Sequence, residues 1–242
     1  MDEPPRDPGD KVGFVRTFLT AEWRDLVLFS FEAAPALFEP FLPRGVELDD
    51  WRGRTFFSLI GFRFLESRLL GVPIPFHGNF PEVNLRFYVR RPTLEGLRRG
   101  VVFLQEMVPK QAVATLARRL YGENYVRVPM TQVVEPGRSA KYIWKTAGKQ
   151  NWIAARTASP PSVPAPDSLE TFIVDHHWGY TRTRDGGCIE YQVERPPWRV
   201  YPVESFEMRV NGDLPLAIPA APDSVIFAEG SEVAVSFGRR IA

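Results

Sequence analysis

The chain has one cysteine, Cys188, which excludes an intrachain disulfide and any zinc or iron–sulfur site built from several cysteines. Its three histidines, two of them adjacent at 176 and 177, are too few for a multi-histidine metal centre. Lysine is scarce as well, with five lysines beside 25 arginines. An excess of either charge is missing, because 30 basic and 29 acidic residues leave a formal net charge of +1. That balance removes the electrostatic footprint of a dedicated nucleic-acid binder. Arg, Glu or Pro interrupts every apolar window well short of about eighteen residues, so no membrane span is expected. Also absent are a G-x-S-x-G elbow, a phosphate-binding glycine loop, H-E-x-x-H and C-x-x-C. The expectation is a protein with no metal and no cofactor.

What is present is an ordinary globular composition, 44% hydrophobic and 24% charged over 242 residues, enough to fill a sizeable core. Residues 1–10 (MDEPPRDPGD) are polar, acidic and proline-rich, which predicts a disordered lead-in over 1–12 before a single domain over 13–242. They lack the basic and apolar regions of a signal peptide, and a cytoplasmic protein is expected.

Strand-like segments dominate. Residues 25–32, 54–64, 83–90 and 101–108 are rich in β-branched and aromatic residues and are separated by turn chemistry such as Glu95-Gly96. Further runs occupy 125–134, 139–145, 151–157, 198–210 and 224–237. Residues 178–184 and 188–194 flank Asp185-Gly186-Gly187, a hairpin signal. Three helices are expected. The first is at 110–121, between Pro109 and Gly122, and the second is at roughly 35–42. The third begins at Asp167, with Glu170 as its capping partner, and ends near His176. The fold class is mainly β, an antiparallel barrel or sandwich with a few accessory helices.

Three places put polar side chains among apolar ones. With a period of two, Glu82, Asn84, Arg86 and Tyr88 share one face of a strand, and Val83, Leu85, Phe87 and Val89 share the other. The polar face either lines a cavity or meets solvent, as alternation in a half-buried strand would have it. Glu106 shares its face with Val102, Leu104 and Val108, so its carboxyl group is either paired with an arginine or directed into a cavity. In residues 175–180 (DHHWGY) the two histidines point in different directions and cannot easily chelate one metal. His176 could serve acid–base chemistry, while a hydrogen-bonded structural histidine is the plainer reading. Trp178, Tyr180, Tyr191 and Trp198 read as cross-strand packing. Cys188 has no designated base, which argues against a nucleophile.

Several blocks in order carry a resemblance: 53–59 (GRTFFSL), 82–89 (EVNLRFYV), 103–109 (FLQEMVP), 119–125 (RLYGENY), 176–180 (HHWGY), 191–194 (YQVE) and Pro197-Trp198. Together, over about residues 14 to 240, they resemble the YqjF-like family of uncharacterised bacterial proteins, grouped by fold with acetoacetate decarboxylase. The resemblance implies an antiparallel β-barrel or cone with helices outside and a small-molecule cavity. In the decarboxylase a lysine of depressed pKa, helped by an adjacent lysine, forms a Schiff base with a β-keto acid. The matching helix-end turn here, residues 120–125 (LYGENY), holds no lysine. Lys110 stands eleven positions before Tyr121. That is roughly 16 Å along a helix. Schiff-base decarboxylation is therefore not expected.

Under the resemblance, Glu82, Glu106, Tyr125 and His176 become candidate catalytic residues, and Asn84, Arg86 and Tyr121 candidate substrate-binding residues. Arg86 would suit a carboxylate-bearing ligand through paired hydrogen bonds. Three functions stand at this point. One is an enzyme acting on a small organic acid or carbonyl compound. Another is a non-catalytic small-molecule-binding barrel, and the third is a protein-interaction module. The barrel's relatives assemble, so a homo-oligomer is left open.

Overall fold

The computed structural model describes residues 17–73, 75, 78–111, 124–212 and 214–242. The lead-in over 1–12, most of the helix expected over 110–121, and Tyr121 lie outside the described residues. Sixteen strands are present among the described residues. The first six are β1 (Thr17–Glu32), β2 (Glu47–Leu48), β3 (Phe56–Leu69), β4 (Val72–Pro73), β5 (Phe80–Thr93) and β6 (Gly96–Val108). Next come β7 (Tyr125–Arg127), β8 (Met130–Glu135), β9 (Ser139–Thr146), β10 (Lys149–Thr157), β11 (Trp178–Arg182) and β12 (Cys188–Glu194). The last four are β13 (Val200–Tyr201), β14 (Val203–Arg209), β15 (Ser224–Ser236) and β16 (Arg239–Arg240).

One large sheet runs β15-β1-β3-β5-β6-β11-β12, and β12 pairs back onto β15 through Val193↔Val235, so the sheet nearly closes on itself. Its neighbours are antiparallel except at β6–β11, where only Trp178↔Gly100 and Gly179↔Val101 pair, and at β6–β7, both of which are parallel. The mainly-β barrel expected from the sequence is present. A second sheet, ordered β14-β10-β9-β8, packs on the outside of the first.

That second layer explains the long unbroken apolar runs. Along β1, Leu26 and Leu28 face the barrel interior, while Val27, Phe29 and Phe31 face outward into a core shared with Tyr142, Trp144 and Ile153. Strand β5 does the same, with Val83, Leu85, Phe87 and Val89 in the outer core. Strands buried on both faces read as continuous hydrophobic runs. Because the apolar face of β5 is covered from outside, its polar face turns into the barrel. The solvent reading of Glu82, Asn84 and Arg86 is thereby corrected: they are 2%, 3% and 8% exposed.

Two expected helices differ. Residues 35–42 form two short 3-10 turns, Pro35–Leu37 and Glu39–Phe41, in place of one helix. Pro40 has no N–H to give and its ring obstructs the preceding turn, which interrupts a continuous helix there. The third helix is shorter than expected, Leu169–Val174. It is capped by Ser168, whose Oγ accepts from the Thr171 N–H at 3.1 Å, and Asp167 stays outside with φ +60°.

Candidate functional site

A cavity of about 180 Å³ lies inside the barrel. Most of its wall is apolar, with Trp23, Phe62, Phe64 and Trp198 prominent. Six of the seven residues expected at a site line it: Glu82, Asn84, Arg86, Glu106, Tyr125 and His176. The seventh, Tyr121, is outside the described residues.

Strand register brings these side chains together. Asn84 pairs with Glu106 across β5 and β6, and Glu106 pairs with Tyr125 across β6 and β7, so the three form one row. Glu82 sits one step along β5 on the same face. Asn84 Nδ2 donates to Glu82 Oε1 at 3.0 Å, and the Tyr125 hydroxyl donates to Glu82 Oε2 at 3.2 Å. Glu82 thus accepts from two buried donors at the cavity wall.

Glu106 reaches this row through an irregularity that the alternation rule did not foresee. Leu85 pairs with Gln105 but Arg86 pairs with Phe103, so β6 carries one extra residue. Such a bulge reverses the facing of everything beyond it. Val102 and Leu104, expected beside Glu106, lie in the outer core, whereas Val101 and Phe103 line the cavity with it. Val108 remains in the inner core as expected.

Arg86 is held at the opposite flank of Asn84. Its Nη2 donates to the Ile173 carbonyl at 3.4 Å, and its guanidinium lies 5.6 Å from the Tyr88 ring centroid. Among the described residues no carboxylate pairs with it, and its Nε has no hydrogen-bond partner. Burying a guanidinium without a counter-ion is costly, so the position is held by its surroundings rather than by an ion pair.

His176 packs between Tyr88 and Phe172, with ring centroids 4.8 and 5.2 Å away. Its Nε2 lies 3.2 Å from Asp49 Oδ2, which also accepts from Arg99 Nε at 2.7 Å. Burial pushes His176 down to about 4 against the pull of Asp49, so the ring is neutral near neutral pH. Burial alone would raise Asp49, but the hydrogen bonds from His176 and Arg99 outweigh it and bring the carboxyl to about 2. Because an ionised carboxylate only accepts, the neutral ring must carry its proton on Nε2, leaving Nδ1 as an acceptor. His177 turns away to Asp175, 2.9 Å from Nε2 to Oδ1.

Sequence reasoning missed two residues here. Asp49, in a short polar run before Trp51, carried no signal of its role. Arg195 lines the cavity beside Trp198, its guanidinium 3.8 Å from that ring. It donates to the carbonyls of Val174 and, at 3.2 Å, of Pro196. Burial, with the neighbouring Arg86 charge and against Asp175, lowers Arg195 to about 9, still a cation at pH 7. In the sequence Arg195 is one arginine of 25 before a proline pair.

The aromatic set divides. Trp178, Tyr191 and Trp198 line the cavity, whereas Tyr180 faces the outer core. Tyr191 lies flat across Gly179, where a Cβ would come within 2.1 Å of the ring. Burial pushes the Cys188 thiol up to about 12, with Glu190 adding to it, which leaves little thiolate for nucleophilic use. None of the described residues lining the cavity is a lysine.

Residues 20–232 match the DUF2071 family, described as an uncharacterized conserved protein (COG2071). The chain belongs to this family. The uncharacterized protein YqjF of Bacillus subtilis (strain 168) is 25% identical over 193 residues, covering 78% of this chain and 77% of that one. Acetoacetate decarboxylase from Legionella pneumophila superposes with a TM-score of 0.63 at 14% identity, over 97% of this chain and 93% of that one. An acetoacetate decarboxylase-like enzyme from Sphingomonas wittichii RW1 gives 0.64 at 12% identity, over 98% of both chains. The enduracididine biosynthesis enzyme MppR complexed with pyruvate gives 0.62 at 12% identity, over 97% and 93%. At these identities the likeness is one of fold. No helix among the described residues is long and apolar enough to cross a membrane.

Proposed function

We propose that this DUF2071 chain binds a small organic acid or carbonyl compound inside its barrel, with Arg86 taking a carboxylate. The observation that carries this reading is the Arg86 guanidinium itself. It is buried at a largely apolar cavity, without a carboxylate partner among the described residues. A carboxylate ligand would supply the missing counter-ion and accept two parallel N–H bonds. The MppR structure with pyruvate adds support, since a protein of the same fold accommodates a small keto acid.

A reaction in this cavity would use Glu82 or Glu106 for proton transfer, with the Tyr125 hydroxyl turning its single proton from Glu82 to the carbonyl oxygen of the ligand. His176 would contribute an acceptor at Nδ1 rather than a donor. With no lysine among the described cavity residues, no Schiff base enters the scheme. The test is a thermal-shift screen of small carboxylates beside their amides, followed by NMR of each hit after incubation with the protein. Carboxylates should raise the melting temperature and amides should not, and Arg86→Met should abolish the increase. A converted hit makes the chain an enzyme, and a hit recovered unchanged makes it a binding protein. Equal response to acids and amides overturns the reading.

A further inference from the structure

We infer that Arg195 is a second anion-binding residue of the same cavity, and that Arg86 and Arg195 together clamp the head of a monocarboxylate with an apolar body. This rests on the reading of the cavity as an organic-acid site. It adds both the second arginine and the class of acid.

Two guanidiniums are anchored here on consecutive backbone groups. Arg86 donates to the carbonyl of Ile173, and Arg195 donates to the carbonyl of Val174. Both side chains line the cavity, and the Arg86 charge adds to burial in lowering the Arg195 pKa. Like charges converging in a partly desolvated place are unfavourable unless an anion lies between them. Asp175, Glu82 and Glu106 are the described carboxyl groups nearby. Asp175 is turned to His177, and Glu82 is engaged by Asn84 and Tyr125. None of the three forms an ion pair with Arg86 or Arg195. Among the described residues neither cation has an ion-pair partner, and an anion bound in the cavity would supply the counter-ion that both call for. A planar carboxylate shared between two forked donors satisfies them with directed hydrogen bonds.

The rest of the wall selects the rest of the ligand. Beyond the arginines stand Trp23, Phe62, Phe64 and Trp198, which favour an aliphatic or aromatic body. Glu82 and Glu106 present carboxyl oxygens farther along the cavity. A second carboxylate on the ligand would meet acceptors there instead of donors, so dicarboxylates are disfavoured.

Arg195 could instead be only structural, stacking on Trp198 and closing off the Val174 carbonyl. The two roles differ in sign. If Arg195 is a binding residue, Arg195→Met removes a repulsion from the empty cavity. The unliganded protein then melts at an unchanged or higher temperature, while the increase given by ligand is lost. A structural Arg195 gives a lower melting temperature with the ligand-induced increase intact.

The experiment is thermal shift and calorimetric titration of the full chain with hexanoate, hexanamide and adipate. It compares the unmodified protein with Arg195→Met and Arg195→Lys. The expected result is binding of hexanoate, at least tenfold weaker binding of hexanamide and adipate, and at least tenfold loss of hexanoate affinity in Arg195→Met. Arg195→Lys should recover part of that loss. Unchanged hexanoate affinity in Arg195→Met overturns the clamp and leaves Arg86 as the anchor. Adipate binding as well as hexanoate overturns the monocarboxylate class. No response of the unmodified protein to hexanoate counts against the organic-acid reading itself, and the clamp falls with it.

Discussion

His176 and Asp49, 127 positions apart in the chain, meet in the core with Nε2 3.2 Å from Oδ2. The pair fixes the imidazole at the edge of the cavity and makes stability depend on pH. The folded-state value of His176 is about 4, below its ordinary 6.5. As pH falls below 6.5 the unfolded chain takes up the proton first, so stability is full above that pH and declines toward pH 4. The shift corresponds to about 3 kcal/mol. Asp49 acts lower down, its contribution being lost between 3.8 and about 2. Urea unfolding at pH 7, 5.5 and 4.5 should show the His176 slope in the unmodified protein and not in His176→Gln. Equal slopes in the two proteins would remove this account.

A second prediction concerns Glu190, a buried carboxylate outside the cavity. It accepts from Arg91 at 2.8 Å, Arg98 at 2.7 Å and Arg239 at 3.2 Å. Burial alone would raise its pKa, but the hydrogen bonds and charges of these arginines hold it below the ordinary carboxylate range. The cluster ties the β11–β12 hairpin to the β5–β6 hairpin, next to the two-residue pairing of β6 with β11. Removing the buried anion strands the cations around it, so Glu190→Gln should cost about 3 kcal/mol in urea unfolding. Arg239 is 67% exposed, and Arg239→Gln should cost under about 1 kcal/mol. Similar costs for the two variants would contradict the burial argument.

The sequence made the strand inventory and the polar row of β5 legible because both depend on local alternation. Glu82, Asn84 and Arg86 were placed on one face by period alone. Which medium that face met depended on the second sheet, and covering one face of β5 with Tyr142 and Trp144 is a non-local event. Glu106 shows the limit more sharply. Its proper neighbours follow from one extra residue in β6, and nothing in residues 101–108 announces a bulge. Asp49 and Arg195 were out of reach for the same reason, since each gains its role from a residue in a distant segment.

Gly61 provides a third test, this time of how the two sheets are seated. A Cβ there would lie 2.5 Å from Tyr142 Cδ2. The ring cannot swing away freely, because the Tyr142 hydroxyl donates to the buried carbonyl of Asp25 at 2.7 Å. Gly61→Ala should therefore cost about 2–3 kcal/mol through overpacking and a strained or broken hydrogen bond. Gly53 is the control, with φ +80° and nothing within 4 Å of an added Cβ. Gly53→Ala should cost only about 1 kcal/mol, from backbone conformation alone. Both are read by urea unfolding, and a neutral Gly61→Ala would show that the inter-sheet packing has slack.

The last prediction separates the fold from the chemistry associated with it. A Schiff-base mechanism requires a lysine amine at the carbonyl carbon of the bound keto acid. Imine formation releases water, and borohydride then delivers hydride to the imine carbon, leaving a stable secondary amine on the lysine. Of the four described lysines, Lys141 and Lys145 lie on β9 and Lys149 begins β10, all on the outer sheet. Lys110, just beyond β6, does not line the cavity. Treatment with acetoacetate and borohydride, followed by intact-mass and peptide analysis, should therefore leave the protein mass unchanged. Substrate-dependent labelling of any lysine would mean that an amine reaches the cavity after all, and the acid–base scheme through Glu82 and Tyr125 would have to give way to an imine.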